Sequence, residues 1–176
     1  IPLRSSSRRG DGDSFASTLL PCHAYPMSVA HAWGTTAADR ALAFPCDALL
    51  PGAEALYRAV DVGAAPPVVF RWLCQLRVAP YSYDWIDNFG RQSPRTLTPG
   101  LDALEIGQRV MSIFELVAFE PGRHLTMRLG RAGGLFGDVA VTYLVVPRAP
   151  ERTRIVVKLL WRYPDRVGLG WLARRL

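Results

Sequence analysis

The chain has 176 residues, of which 49% are apolar and 20% are charged, and its formal net charge is +6. This composition is ordinary for a soluble globular protein of one domain and excludes wholesale disorder. No apolar stretch reaches the roughly 18 to 20 residues of a membrane-spanning helix, and residues 1–26 lack the apolar segment of a secretory signal. We therefore predict a cytoplasmic protein without membrane insertion.

The positive charge does not indicate a nucleic-acid partner, because the arginines are scattered and Lys158 is the single lysine. Cys22, Cys46 and Cys74 form no CxxC pair, which argues against a disulfide framework and against a structural zinc site. The glycine-rich segment 130–137, GRAGGLFG, lacks the lysine and hydroxyl residue of a phosphate-binding loop. We predict no metal, no cofactor and no nucleic-acid partner.

Three regions follow one another along the chain. Residues 1–26 are rich in Ser, Arg, Gly and Asp and are predicted to be a flexible extension. Residues 27–55 are predicted to be an N-terminal arm with a short helix near 36–42, capped by Thr35 or Thr36. The arm is too short to bury a core of its own, so residues 56–176 are predicted to be the folded domain.

The domain begins with a strand at 56–62, where residues alternate between two faces. Two prolines then start a helix at 66–77, and Pro80 separates it from a short helix within 81–90. The helical spacing predicts one apolar face for the first of these helices, formed by Val69, Trp72, Leu73 and Leu76.

From residue 109 onward the apolar period is two, which predicts antiparallel strands. Segment 109–119 is one long strand or two short ones, and it is followed by strands at 124–129, at 139–147 and at 154–163. In the last strand Ile155, Val157, Leu159 and Trp161 are predicted to point inward, and the mostly charged alternate positions are predicted to face water.

A final helix is predicted from Asp165, with Val167, Trp171 and Leu172 on one face. At roughly 1.5 Å per residue its twelve residues are shorter than the strands that it would cover. We therefore expect that this helix is truncated at Leu176.

Segment 65–91 contains P-x-x-V-F-x-W-L followed by YSYDW, and segment 117–128 contains EPGR before an apolar strand. These two motifs resemble those of bacterial proteins of the START-like, or SRPBCC (polyketide cyclase/dehydrase and lipid transport), superfamily. The resemblance implies an α+β helix-grip fold, in which a curved antiparallel sheet wraps around a C-terminal helix. It implies no single function, because this superfamily includes lipid carriers, hormone sensors, cyclases and chaperone activators.

The resemblance and the excess of large aromatic residues predict a cavity between the sheet and the C-terminal helix that binds or transfers an apolar small molecule. The alternatives are a cyclase or dehydratase acting on a polyketide-like substrate, and an interaction module without a ligand. The sequence identifies neither a catalytic set nor an oligomeric state. The predicted ligand-binding residues are Trp72, Tyr83, Trp85, Phe114, Tyr143, Trp161 and Tyr163.

Few acids or histidines are placed to perform chemistry. Asp84 and Asp87 lie three apart on a short helix and are typical of surface or capping positions. Glu115 is predicted to face water, although a bulge would turn it inward and raise its pKa. His124 falls on the polar face of its strand, and no histidine has the spacing of a catalytic triad.

Overall fold

The computed structural model describes residues 28–78, 92–129 and 137–163. The predicted extension, the short helix within 81–90, most of the glycine-rich loop and the closing helix lie outside the described residues. Within the described ranges the helices are α1 (Val29–Ala32), α2 (Ala37–Arg40) and α3 (Pro66–Cys74), with 3₁₀ turns at Pro45–Ala48 and Gln75–Arg77. The strands are β1 (Glu54–Val62), β2 (Arg109–Val110), β3 (Phe114–Glu120), β4 (His124–Leu129), β5 (Asp138–Ala149) and β6 (Arg152–Arg162).

The six strands form one antiparallel sheet in the order β1-β6-β5-β4-β3-β2. The last strand therefore lies next to the first, and the four strands from β2 to β5 follow in reverse order as a meander. The α+β class and the antiparallel strands predicted from the period of two are confirmed.

Helix α3 begins where the sequence predicts, with two prolines in its first turn, where a missing N–H costs little. It buries Val69 and Leu73 against the sheet, and Phe70 and Cys74 join them. Trp72, predicted on this apolar face, is 37% exposed. We call the face of the sheet that α3 covers the inner face.

A turn without glycine separates β2 from β3. Met111 and Ser112 both have positive φ angles, of 48° and 64°, and the N–H of Met111 donates a hydrogen bond of 2.8 Å to the carbonyl of Leu76. Of the two alternatives for segment 109–119, two short strands are therefore correct.

At the other end of the meander, β5 continues past its predicted end at Pro147 to Ala149. Beyond Leu144 this strand pairs only with β6, so a residue without an N–H is tolerated there.

The opposite, outer face of the sheet is covered by the N-terminal arm. The 3₁₀ turn at Pro45–Ala48 places Phe44 and Cys46 in a buried cluster with Tyr57 of β1 and Val156 of β6. The N–H of Cys46 also donates a hydrogen bond of 3.1 Å to the hydroxyl of Thr142. The prediction that the charged face of the last strand lies in water is wrong for Arg154 and Lys158, which the arm buries, whereas Arg162 is exposed.

Arg154 of β6 is the main polar anchor of the arm. Its guanidinium donates hydrogen bonds to both carboxylate oxygens of Asp39 at 2.9 to 3.2 Å, to Asp61 at 2.8 Å and to the carbonyl of Gly34 at 2.6 Å. Asp39 is 1% exposed and is held in place by a capping box with Thr36, one of the two residues predicted to cap α2. A buried charge of this kind is tolerated only when it is paired and fully hydrogen-bonded.

Lys158 is the second buried cation of the outer face. Its ammonium forms an ion pair with Asp47 and lies 5.2 Å and 5.4 Å from the ring centres of Phe44 and Tyr57. Cation–π contacts within about 6 Å stabilise a desolvated ammonium. Burial alone would lower the pKa of Lys158, but the contacts with Asp47 and Tyr57 outweigh it and raise this pKa above its ordinary value.

Gly34 permits the arm to approach β1. Its φ is +70°, and a Cβ atom there would collide with the carbonyl oxygen of Ala59. We predict that Gly34→Ala lowers the free energy of unfolding by at least about 3 kcal/mol, because left-handed strain of roughly 1 to 2 kcal/mol adds to the collision. Urea denaturation measures the loss.

The matched control for this prediction is Gly52→Ala. Gly52 has a φ of +75° with no atom within 4 Å of the added Cβ, so it carries the backbone strain alone. Equal losses at the two glycines would show that the close approach at Gly34 has no energetic consequence.

The Asp39 ion pair predicts a defined loss of stability in acid. Burial raises the pKa of Asp39, but hydrogen bonds from Arg154 and Thr36 outweigh it and hold the pKa at about 2, below the ordinary 3.8. The ionised form therefore contributes stability above pH 3.8, and this contribution of roughly 2 kcal/mol is lost as the pH falls toward about 2. We predict that Asp39→Asn removes this part of the acid dependence and costs about 3 to 5 kcal/mol at neutral pH.

Urea denaturation across this pH range checks the prediction. Asp61→Asn is the control, because Asp61 binds the same guanidinium but its side chain is 57% exposed, so its loss should stay below about 1 kcal/mol. Comparable losses for the two variants would contradict the assignment of Asp39 as the anchor.

Candidate ligand-binding site

The inner face of the sheet is an apolar surface whose burial changes from strand to strand. It is fully buried across the middle of β3, β4 and β5 and only partly buried on β6. Leu116 of β3, Met127 of β4 and Val141 of β5 lie in cross-strand register and are 0 to 3% exposed. The register continues to Leu159 of β6, which is only partly buried. The inward residues of β6 share this partial exposure, and they are Ile155, Val157, Leu159 and Trp161.

Several predicted ligand-binding residues lie on this surface. Phe114 pairs with Leu129 on β4, and Trp161 pairs with Val139 on β5. Trp161 also stacks on Tyr163, with ring centres 4.7 Å apart and an angle of 22° between the planes. Phe114, Trp161 and Tyr163 are all partly buried. The predicted residues Tyr83 and Trp85 lie outside the described residues.

Tyr143 is the titratable side chain of the central strands on this surface. It pairs with Leu125 of β4 and Val157 of β6, so its ring lies between the fully buried and the partly exposed parts of the inner face. Burial raises the pKa of its hydroxyl. The group is therefore neutral near pH 7 and able to donate or accept a hydrogen bond, but it is unsuited to act as a base.

The acids and the histidine of β3, β4 and β5 lie on the outer face. Glu115 forms an ion pair of 3.3 Å with Arg128, so this described carboxylate does not turn inward. His124 pairs with Leu144, which packs against the outer cluster, and burial lowers the pKa of the imidazole. Asp84 and Asp87 lie outside the described residues. Within the described parts of β3 to β6, the inner face carries no Asp, Glu or His.

One polar side chain of the inner face was not predicted from the sequence. Gln108 precedes β2, and its carbonyl accepts a hydrogen bond of 2.9 Å from the N–H of Leu116. Its side-chain oxygen is buried and has no hydrogen-bond partner among the described residues. The sequence indicates this position only weakly. Gln108 lies two residues before Val110, so a strand period of two places both side chains on the same face.

A groove of about 320 Å³ lies beside α3, between Arg71 and Gln75 on one side and loop 97–102 on the other. The side-chain amide of Gln75 bonds to the backbone of Thr98 through both of its polar atoms, at 3.2 and 3.4 Å. This groove is polar and contains none of the described residues that were predicted to bind a ligand.

No helix in the described part of the chain is long and apolar enough to cross a membrane. No group of three or more His, Cys, Asp or Glu residues is arranged to hold a metal ion in the described ranges.

No family model matches the chain, and no curated protein matches it. Solved structures are similar to it. A START superfamily protein from Mycobacterium smegmatis has 15% sequence identity and a TM-score of 0.44, over 69% of this chain and 84% of that one. An HSP90 activator from Plasmodium falciparum has 12% identity and a TM-score of 0.42, over 69% and 84% of the two chains.

A di-domain ARO/CYC protein, BexL, of the BE-7585A biosynthetic pathway has 13% identity and a TM-score of 0.40, over 69% of this chain and 40% of that one. One of these similar structures is thus named as a START superfamily protein. Each name describes the protein that bears it.

The partial burial of the β6 residues predicts a small cost for truncating Trp161. We expect Trp161→Ala to lower the free energy of unfolding by about 1 to 2 kcal/mol, because a ring that borders open space loses few packing contacts. Met127→Ala is the control on the same face, and its 0% exposure predicts a loss of about 2 to 5 kcal/mol. Thermal or urea unfolding that gives Trp161→Ala a loss of 3 to 5 kcal/mol, the usual figure for a core tryptophan, would contradict an open site.

Proposed function

We propose that the protein binds or transfers an apolar small molecule on the inner face of its sheet. One observation supports this most: the inward side chains of β6 form a continuous apolar strip that the fold leaves partly uncovered. On the outer face of the same strand, the arm buries the charged side chains of Arg154 and Lys158. A strand whose central charged residues are buried and whose apolar face is partly open favours a ligand on the apolar side.

The energetics support a ligand of modest size. Covering apolar surface contributes about 25 cal/mol per Å², so removing 200 Å² of this strip from water supplies roughly 5 kcal/mol before the cost of association. Trp161 and Phe114 offer aromatic surface, and the neutral hydroxyl of Tyr143 offers a hydrogen bond that orients the ligand. This combination is typical of a binding pocket.

Binding is favoured over a cyclase or dehydratase reaction. Acid–base catalysis needs a group with a pKa near the working pH within reach of the substrate. The inner face of β3 to β6 carries no carboxylate or imidazole in the described residues, and the hydroxyl of Tyr143 has a raised pKa. Glu54 of β1 lies opposite Trp161, but its carboxylate is bonded to His31 at 2.9 Å on the exposed edge of the sheet. An interaction module without a ligand is distinguished from a binding protein by the following experiment.

We predict that N-phenylnaphthylamine, an uncharged fluorescent apolar probe, binds the protein and stabilises it. At a free concentration of about 100 times Kd, the stabilisation should reach roughly 2.7 kcal/mol. Val157→Trp fills the strip next to Tyr143, and we expect it to weaken binding at least about tenfold by occupying the space of the ligand. Fluorescence titration and thermal unfolding give the two readouts.

The control variant is Ile113→Trp, which adds a tryptophan at a position that is 52% exposed in the turn between β2 and β3. It should leave the affinity unchanged. Failure of this probe, of β-naphthol and of a fatty acid to bind or to stabilise the protein would contradict the proposal and favour an interaction module. Equal binding by Val157→Trp and the wild type would place the ligand elsewhere.

A further inference from the structure

Arg58 of β1 lies at the border of the apolar strip on β6. The register of the two strands pairs it directly with Val157, next to the pair Leu56–Leu159. Residues directly opposite each other in an antiparallel pair point to the same side of the sheet, so Arg58 shares the inner face with the strip. A cation therefore stands beside the surface that is proposed to bind an apolar molecule.

The charge of Arg58 has no carboxylate partner among the described residues. Its side chain is exposed, and its guanidinium donates a hydrogen bond of 2.7 Å to the carbonyl of the adjacent Tyr57. Arg154 and Lys158, on the opposite face, each form an ion pair with an aspartate. A guanidinium has five N–H donors, so most of those of Arg58 are available to a ligand.

The acid of β1 on this face does not neutralise Arg58. Glu54 lies four residues away along the strand, which corresponds to roughly 13 Å and exceeds the distance over which exposed charges interact at physiological salt. Its carboxylate is bonded to His31 at 2.9 Å. In the described parts of the six strands, Arg58 is the cation of the inner face.

Two further side chains lie in the same cross-strand row. Trp33 of the arm pairs in parallel with Arg58 and is 53% exposed, although it is a large aromatic residue. On the other side of Val157 lies Tyr143 of β5. Neighbouring strands are about 4.8 Å apart, so the backbones of Arg58 and Tyr143 are roughly 10 Å apart across Val157. Two long side chains reach one small group over such a gap.

We propose that the ligand carries a carboxylate, which pairs with Arg58 while its apolar body covers the strip on β6. The inference rests on the proposed function and names its ligand class. A guanidinium binds both oxygens of a carboxylate at once, and the hydroxyl of Tyr143 is able to donate a further hydrogen bond to the same group. Ion pairs in open water contribute little, but a ligand that covers the strip also removes water from this pair and strengthens it.

The test compares two probes of nearly equal size and shape, β-naphthoate and β-naphthamide, of which only the first is charged near pH 7. Calorimetric titration of the wild-type protein should give about a three- to tenfold lower Kd for β-naphthoate. Arg58→Met keeps an unbranched side chain without its charge and should abolish this preference, with less than about a twofold change in the Kd of β-naphthamide. Arg58→Lys keeps the charge without the planar fork and should retain part of the preference.

Controls separate a local ion pair from the effect of net charge. Arg128→Met removes the same charge from the outer face of β4, where the side chain is 57% exposed, and should leave the preference intact. Raising the salt concentration from about 0.05 to about 0.5 M should reduce the preference of the wild type and leave Arg58→Met unchanged, because salt screens the ion pair. Arg58→Gln serves if Arg58→Met does not fold.

Each contrary result has a distinct meaning. If the wild-type protein binds the two probes equally, or if Arg58→Met and Arg58→Gln keep the preference, the inference is wrong and the proposed function stands. If Arg128→Met lowers the preference as much as Arg58→Met, net charge is responsible and the inference is also wrong. If neither naphthalene probe binds but N-phenylnaphthylamine does, the inference alone fails. If all three fail to bind, the proposed function fails as well.

Discussion

The arrangement of this protein depends on the hydrogen bonds and ion pairs that the guanidinium of Arg154 forms. It joins Asp39 and Gly34 of the arm to Asp61 of the edge strand β1, and it projects from β6, the neighbour of that edge strand. Replacing Asp39 would leave the buried guanidinium with only the exposed Asp61 as a charged partner, and replacing Arg154 would leave the buried carboxylate with only the exposed Arg148, so either change is more costly than losing a surface pair. One side chain thus fixes the arm, the sheet edge and the outer face together.

Because Arg154 holds the arm on the outer face, the two faces of β6 differ in how far they are covered. The arm closes the outer face with ion pairs and the small cluster around Phe44 and Cys46, so the polar residues of that face have their partners inside the fold. The inner face keeps an apolar strip that is partly open beside the buried core under α3. On the same face, Tyr143 lies opposite Val157 from the β5 side, and Glu54 and Arg58 of β1 lie opposite Trp161 and Val157 from the other side. The proposed ligand would cover the strip and bond to the hydroxyl of Tyr143.

The sequence predicts those parts of the structure that depend on local periodicity and on turn residues. Two prolines predict the start of α3, and alternation predicts the strands from β3 to β6. The sequence does not predict that Arg154 is buried. Its partner Asp39 lies 115 residues away, and a charged residue in an alternating strand is expected to face water. The turn at Met111 and Ser112 also gives no signal, since neither left-handed residue is a glycine. The unpaired side-chain oxygen of Gln108 is also not predicted, because a sequence does not show whether a glutamine has a hydrogen-bond partner.

The central claim is that an apolar ligand occupies the inner face of the sheet while the arm occupies the outer face. Methyl-detected NMR of the full chain, titrated with N-phenylnaphthylamine, tests it most directly, because alternate residues of β6 report on opposite faces. The account predicts shifts for the methyl groups of Val157 and Leu159 and none for those of Val156 and Leu160. Shifts confined to Val156 and Leu160, or saturating binding that moves neither pair, would contradict it.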